Sequence, residues 1–290
     1  MSAQQVADSG FSPPIHHPAF DAGRGPVVLI DEAHLNFHTA GGRYYTFAKL
    51  LRADGYVVRP SQSRFARQML AGADILVISN AIAEQNEEDW SLPTPSAFDS
   101  AEIAAVRQWV QQGGALLLIA DHMPFPGAAA ELAAAFGVLF NNGFAMGQEQ
   151  SGEMVFRRSD GSLADHPVTN GRGPGERVDS VVAFTGQAFR AVAQIDSLLI
   201  LGLDVVLLMP QQAWRFSKST PRLSAAHWLQ GAVLRVGQGR VAVFGEAAMF
   251  SAQLAGPDRT PLGMNSPHAV QNAQFLLNVV HWLSGLLDQR

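Results

Sequence analysis

The stretch Asp31-Glu32-Ala33-His34-Leu35-Asn36-Phe37-His38 sets two carboxylates, two imidazoles and a carboxamide directly behind an apolar run at 26–30. Neutral imidazole and carboxylate are the usual ligands of zinc, manganese or iron where thiolates are absent, and this chain has no cysteine. If the segment turns helical after Asp31, His34 and His38 fall on one face. Asp121-His122 follows a second apolar run at 115–120, and Glu246 follows a third at 240–244. The expected metal set is therefore Asp31, His34, His38 and His122. Asp121, His122 and Glu246 are expected to transfer protons or hold substrate, with Asn80 as a hydrogen-bond donor to substrate or to an oxyanion. A plainer reading stays open beside this one. Histidines in turns and aspartates at helix starts are common caps, and no spacing among these residues is diagnostic of one chemistry.

Residues of this kind are useful only if the fold gathers them, so the elements around them matter. Residues 26–30 read as a strand buried on both faces. The pattern then predicts a helix over 44–53 closed by Asp54-Gly55, a strand at 56–58, a short helix at 65–70 and a strand at 74–80. Residues 83–97 form a long loop suited to a lid or rim. A helix capped by Asp99 or Ser100 runs to Gln112, a strand occupies 115–120, and an alanine-rich helix covers 127–136. Residues 147–177 are polar and glycine-rich, an excursion from the main layer. Strands are expected at 178–184, 198–209 and 231–236, the last turning at Gly237-Gln238-Gly239 into 240–244. An amphipathic helix over 269–283 ends the chain. Alternating buried strands and helices imply right-handed crossovers and a mainly parallel α/β sheet, whose ligands bind beyond the carboxyl ends of the strands. Asp31, Asn80, Asp121-His122 and Glu246 all occupy such ends.

Composition narrows the function classes. The formal net charge of −5 comes with scattered basic residues, which argues against nucleic acid as a partner. No apolar run approaches the roughly 20 residues of a membrane span. Val-Val-Leu-Ile-Asp-Glu-Ala-His at 27–34 looks like the acidic box of helicase-type ATPases. That box needs a phosphate loop with lysine, and Lys49 and Lys218 are the only lysines. No G-x-S-x-G elbow occurs, and no G-x-G-x-x-G follows the first strand, so neither a serine hydrolase of that type nor a nucleotide cofactor is expected.

The opening strand, the passage Gly113-Gly114-Ala115-Leu116-Leu117-Leu118-Ile119-Ala120-Asp121-His122, and the ending Gly239-Arg240-Val241-Ala242-Val243-Phe244-Gly245-Glu246 with Asn272-Ala273-Gln274-Phe275-Leu276-Leu277-Asn278 resemble the class I glutamine amidotransferase-like superfamily. The nearest branch in appearance is the DUF4350 group, related to ThuA-like and GldG/intraflagellar-transport-type domains. The resemblance covers most of 26–285. It implies a flavodoxin-like three-layer α/β sandwich, and it does not bring glutaminase activity, because that family's cysteine nucleophile has no counterpart here. Two functions remain in view. One is a hydrolase, metal-assisted by zinc, manganese or iron, acting on a small polar or carbohydrate-like molecule. The other is a non-catalytic ligand-binding or assembly domain of the same fold. The expected organisation is a mobile arm at 1–25 and a single domain at 26–290. Homo-oligomerisation is left open, and so is the compartment, periplasmic or secreted after signal removal, or cytoplasmic.

Overall fold

The computed structural model describes residues 5–147 and 153–288. Its centre is a seven-stranded sheet. In chain order the elements that build it are β1 (Val27–Asp31), α1 (Tyr45–Ala53), β2 (Val57–Ser61), β3 (Ile75–Ser79), α2 (Ser100–Gln111), β4 (Ala115–Ile119), α3 (Phe125–Ala134), β5 (Asp196–Ile200), β6 (Leu229–Val236), β7 (Gly239–Phe244) and α4 (Asn272–Leu283). Across the sheet the order is β5-β6-β7-β4-β3-β1-β2. From β2 to β7 every pairing is parallel, and β6 runs against both its neighbours. The fold is thus mixed α/β with a mostly parallel sheet, as the strand and helix alternation predicts.

Side chains alternate between faces along a strand, and here both faces are apolar. Ile30, Val77, Leu117, Ile119 and Phe244 pack on one face with Phe47 and Leu51 of α1 and Phe275 of α4. Leu29, Leu76, Ile78, Leu116, Leu118 and Val243 pack on the other with Val106 and Val110 of α2 and Leu132 of α3. This double burial is why the strands read as continuous apolar runs. The start of α2 is fixed by a capping box: Asp99 accepts from the Glu102 N–H at 2.8 Å, and Glu102 accepts from the Asp99 N–H at 3.1 Å.

Three expectations are corrected. The apolar stretch 198–209 is two strands in two sheets. β5 forms an edge of the main sheet, while Val205–Leu208 pairs with Phe144–Gly147 and Arg222–Ser224. Gly202 and Asp204 interrupt the run at the crossing from one sheet to the other. The described part of the expected arm, residues 5–25, is tied to the fold. Gln5–Ala7 pairs with Ala252–Ala255, Lys49 Nζ donates to the carbonyls of Ser9 and Phe11 at 3.2 Å each, and Phe11, Ile15 and Phe20 pack on the core. The segment after Asp31 is irregular and not helical, with Leu35 at φ 49°. In the polar excursion, Met154–Arg157 pairs with Ser180–Ala183, and the part of the excursion at 148–152 lies outside the described residues.

Leu117 is fully buried on the central strand β4. Leu117→Ala should lower unfolding stability by about 2–5 kcal/mol, read from urea denaturation with an unchanged m-value. A loss below 1 kcal/mol would mean the site collapses around the cavity.

Candidate functional site

The register of the parallel strands places the rim residues. Ser79, Ile119 and Phe244 lie level across β3, β4 and β7, so Asn80 follows one residue past that level on β3, and Asp121 and Glu246 two residues past it on β4 and β7. Asp31 leaves β1, the next strand along. All four therefore share the lip, but not one face. Asp121 and Glu246 continue the alternation of Ile119 and Phe244, whereas Asp31 continues that of Leu29 toward the opposite face.

On its own face Asp31 builds a closed cluster. Its carboxylate receives His34 Nδ1 at 2.9 Å and Asn36 Nδ2 at 3.0 Å, and His34 Nε2 meets Glu102 Oε1 at 2.9 Å. Phe65 and Phe98 flank the His34 ring at 4.5 and 4.7 Å. Burial opposes the His34 imidazolium, and the Asp31 and Glu102 carboxylates outweigh it, holding the pKa above its ordinary value. Glu102 is likewise opposed by burial, and His34 with the Asp99 and Phe65 N–H groups pulls it below the usual carboxylate range. Both ring nitrogens of His34 are thus engaged. The expected set Asp31, His34, His38 and His122 is not assembled, because pleat alternation sends the first two to the far face. Among the described residues no group of three or more histidine and acidic side chains is arranged to hold a metal ion.

The other candidates do meet. His38, Asn80, Asp121, His122 and Glu246 line one chamber of about 180 Å³. It adjoins a cleft of about 740 Å³, with which it shares Phe37, His122 and Trp214, and which Trp90, Glu87 and Glu88 extend outward. Asn80 adopts φ 50°, an uncommon backbone state that asparagine tolerates better than most residues. There its Oδ1 accepts the Asp121 N–H at 2.9 Å, and its carbonyl accepts the Phe37 N–H at 2.9 Å. The Asp121 carboxylate in turn accepts the His122 N–H at 2.7 Å through Oδ1.

His122 is held on all sides. Its ring stacks on Phe144 at 4.5 Å and meets the edge of Trp214 at 4.6 Å. Nδ1 faces the Met123 carbonyl oxygen at 2.7 Å, so the proton sits on Nδ1 and Nε2 is left as an acceptor. Trp214 itself stands at φ 65°, backbone strain of the kind held at working sites. Glu246 is buried, and its two oxygens accept the N–H groups of Ala248 and Met249 at 2.7 Å each. Burial nonetheless pushes its carboxyl well above the usual range, and the Asp121 carboxylate adds to that. Burial lowers His38 to about 3, with Arg43 and His122 contributing, so its imidazole stays neutral.

Sequence reasoning does not single out Gln253, Thr185, Trp90 or Trp214, all of which line the chamber or the cleft. None follows a strand of the main sheet, and the strand-end signal that finds Asp121 cannot find them.

Several solved structures share this fold. The mmIFT52 N-terminal domain superposes with a TM-score of 0.61 at 13% identity, covering 89% of this chain and 97% of that one. A cytoplasmic protein, STM1381 from Salmonella typhimurium LT2, gives 0.52 at 17% identity over 89% and 98%. A putative ThuA-like protein from Bacteroides uniformis gives 0.50 at 15% identity over 94% of each. The chain shares the fold of these proteins, the putative ThuA-like protein among them. No family model matches it, and no curated protein sequence does.

The His34 cluster predicts opposite pH limbs. Because the His34 pKa is raised in the folded state, its contribution is full below about 6.5 and is lost as pH rises through the raised value. Glu102 is depressed, so its contribution is present above its ordinary value and is lost as pH falls through the folded one. His34→Ala should cost about 3–5 kcal/mol and remove the alkaline limb from a plot of unfolding free energy against pH. An unchanged alkaline limb in the variant would show that the limb has another source.

Proposed function

We propose that the chamber is the active site of a hydrolase-like enzyme acting on a small polar substrate, carbohydrate-like molecules included. The observation that carries this reading is the juxtaposition of His122, whose Nε2 has no partner among the described residues, with the carboxyl groups of Asp121 and Glu246. A carboxyl held toward its protonated form by burial beside a histidine with a free ring nitrogen supplies an acid and a base in one space. In this scheme His122 Nε2 accepts a proton from the attacking water, and Glu246 in its protonated form delivers one to the leaving group. Asn80 Nδ2, a donor with no partner among the described residues, would hydrogen-bond the oxygen that gains charge in between. Asp121 positions His122 through the backbone. The outer cleft, walled by Phe37, Trp90 and Trp214, supports binding of the rest of the substrate, since aromatic faces pack on the apolar faces of ring compounds.

The scheme uses no metal. Elemental analysis of tag-free protein tests that directly: stoichiometric metal, lost in His122→Ala, would replace the water-activation step with a metal-assisted one. The resemblance to the DUF4350 group adds no chemistry to this reading. A non-catalytic ligand-binding domain is the outcome in which ligands bind and nothing turns over.

The decisive test is a screen of nitrophenyl glycosides and esters. Turnover is expected, with kcat reduced about 10²–10⁴-fold in His122→Ala and in Glu246→Gln. Glu246 must be protonated to act as the acid, so kcat/KM should fall as pH rises through its raised pKa, and Glu246→Gln should abolish that limb. Full activity in both variants, or no turnover of any member by the wild type, would remove the proposal.

A further inference from the structure

Gln253 lines the chamber, is 1% exposed, and comes from outside the main sheet. Its amide orientation is fixed by a neighbour. Ser251 Oγ donates its one proton to the Ala248 carbonyl at 2.9 Å, so toward Gln253 it can only accept, and it receives Nε2–H at 2.7 Å. Gln253 Oε1 is therefore the atom of the amide turned away from Ser251, an acceptor, and it is buried with no partner among the described residues. Two further acceptors line the same space. Asp121 uses Oδ1 on the His122 N–H and makes no hydrogen bond through Oδ2 among the described residues. The Thr185 hydroxyl lines the space as well, and its oxygen keeps lone pairs for a donor wherever its own proton turns.

The charge pattern points the same way. Two carboxyl groups, of Asp121 and Glu246, line the chamber, and among the described residues no lysine or arginine does. Buried carboxylates ordinarily have a cationic partner. The walls include Phe125 and Trp214, whose ring faces attract cations; the Phe37 face already carries Arg43, 3.7 Å from its centroid, a guanidinium that lines the adjoining cleft and not the chamber. The volume of about 180 Å³ equals that of roughly six waters, enough for a small head group. An anion would meet the carboxyl pair. An alcohol brings one donor and leaves two acceptors unmet, and it needs donors of its own. An ammonium brings three donors and accepts nothing.

We propose that the chamber binds the primary ammonium head of a small molecule, with Gln253 Oε1, Asp121 Oδ2 and Thr185 Oγ1 accepting its N–H groups. This rests on the reading of the chamber as the substrate site and names the class of substrate, amine-bearing. His122 Nε2 remains free for water.

The test is direct binding of n-propylammonium, 1-propanol and propionate to the full chain near pH 7.5, followed by tryptophan fluorescence, since Trp214 lines the chamber and Trp90 the cleft. Propylammonium should bind at least about ten-fold more tightly than propanol, the scale of a charge-assisted hydrogen bond, and propionate should not saturate. Asp121→Asn and Gln253→Leu should each weaken the amine about ten-fold and leave propanol unchanged. Propanol equal to the amine, propionate tighter than the amine, or unaltered amine affinity in both variants would overturn the proposal. The ligand comparison on the wild type decides the matter even if a variant does not fold. Binding needs no turnover, so a failed activity screen leaves this inference standing, and turnover without amine preference removes it alone.

Discussion

The parallel pairing of β4 between β3 and β7 is the constraint on which the site depends. It holds Ser79, Ile119 and Phe244 level, and neighbouring strands lie only about 4.8 Å apart. Whatever follows those three residues must share one small space. The backbone continues the pairing past the strand ends, with the Asn80 N–H on the Ile119 carbonyl and the Ala120 N–H on the Phe244 carbonyl, both at 3.0 Å. Gln187 Nε2 then closes on the Ala120 carbonyl at 2.9 Å. The rim is thus set by main-chain hydrogen bonds before any polar side chain takes part, which gives it the rigidity that positioned catalytic groups require.

Asp31 and His34 belong to the same construction from the other side of the sheet. Their cluster pins an irregular loop that has no helix or strand ladder of its own. Asn36 reaches from Asp31 toward the Ser79 carbonyl, the His34 carbonyl accepts the Ile82 N–H at 3.0 Å, and the Phe37 N–H returns to Asn80. With the loop anchored this way, Phe37 and His38 reach the chamber. Glu102 also closes the capping box of α2, so one carboxylate ties the helix start, the loop and Phe65 together. Removing it would disturb the chamber at a distance, through the path of the loop rather than through contact with a ligand.

The strand-end rule made Asn80, Asp121 and Glu246 legible, since each ends an apolar run in a sheet of mostly parallel strands. The two-faced burial of those strands was legible for the same reason. The face on which a strand-end residue emerges was not. That depends on the register between strands, and a single sequence carries no register, so Asp31 and His34 looked like partners of His122 when they are partners of Glu102. Gln253 and Trp214 were hidden for a different reason. Gln253 lies on a short strand paired with the N-terminal Gln5–Ala7, and Trp214 in a loop beyond Val205–Leu208. Their approach to the rim is a long-range packing result with no periodic trace. The N-terminal segment read as mobile because three paired residues are too few to leave an alternating pattern.

The electrostatics of the chamber follow from this architecture. Asp121 and Glu246 emerge on the same face of adjacent strands, and two carboxylates so close cannot both be ionised at little cost. The N–H groups of Ala248 and Met249 favour the Glu246 anion, yet burial and Asp121 prevail and the group retains its proton over a wider pH range. A site in this condition has two ways to relax. It can keep the proton, which makes Glu246 an acid available to a leaving group, or it can admit a cation, which lets both carboxylates ionise. The two are linked: a cationic head group bound at Asp121 would lower the Glu246 pKa. An amine-bearing substrate would therefore make Glu246 a stronger acid while narrowing the pH range over which it keeps the proton it must deliver, a coupling that the arrangement on β4 and β7 makes physically direct.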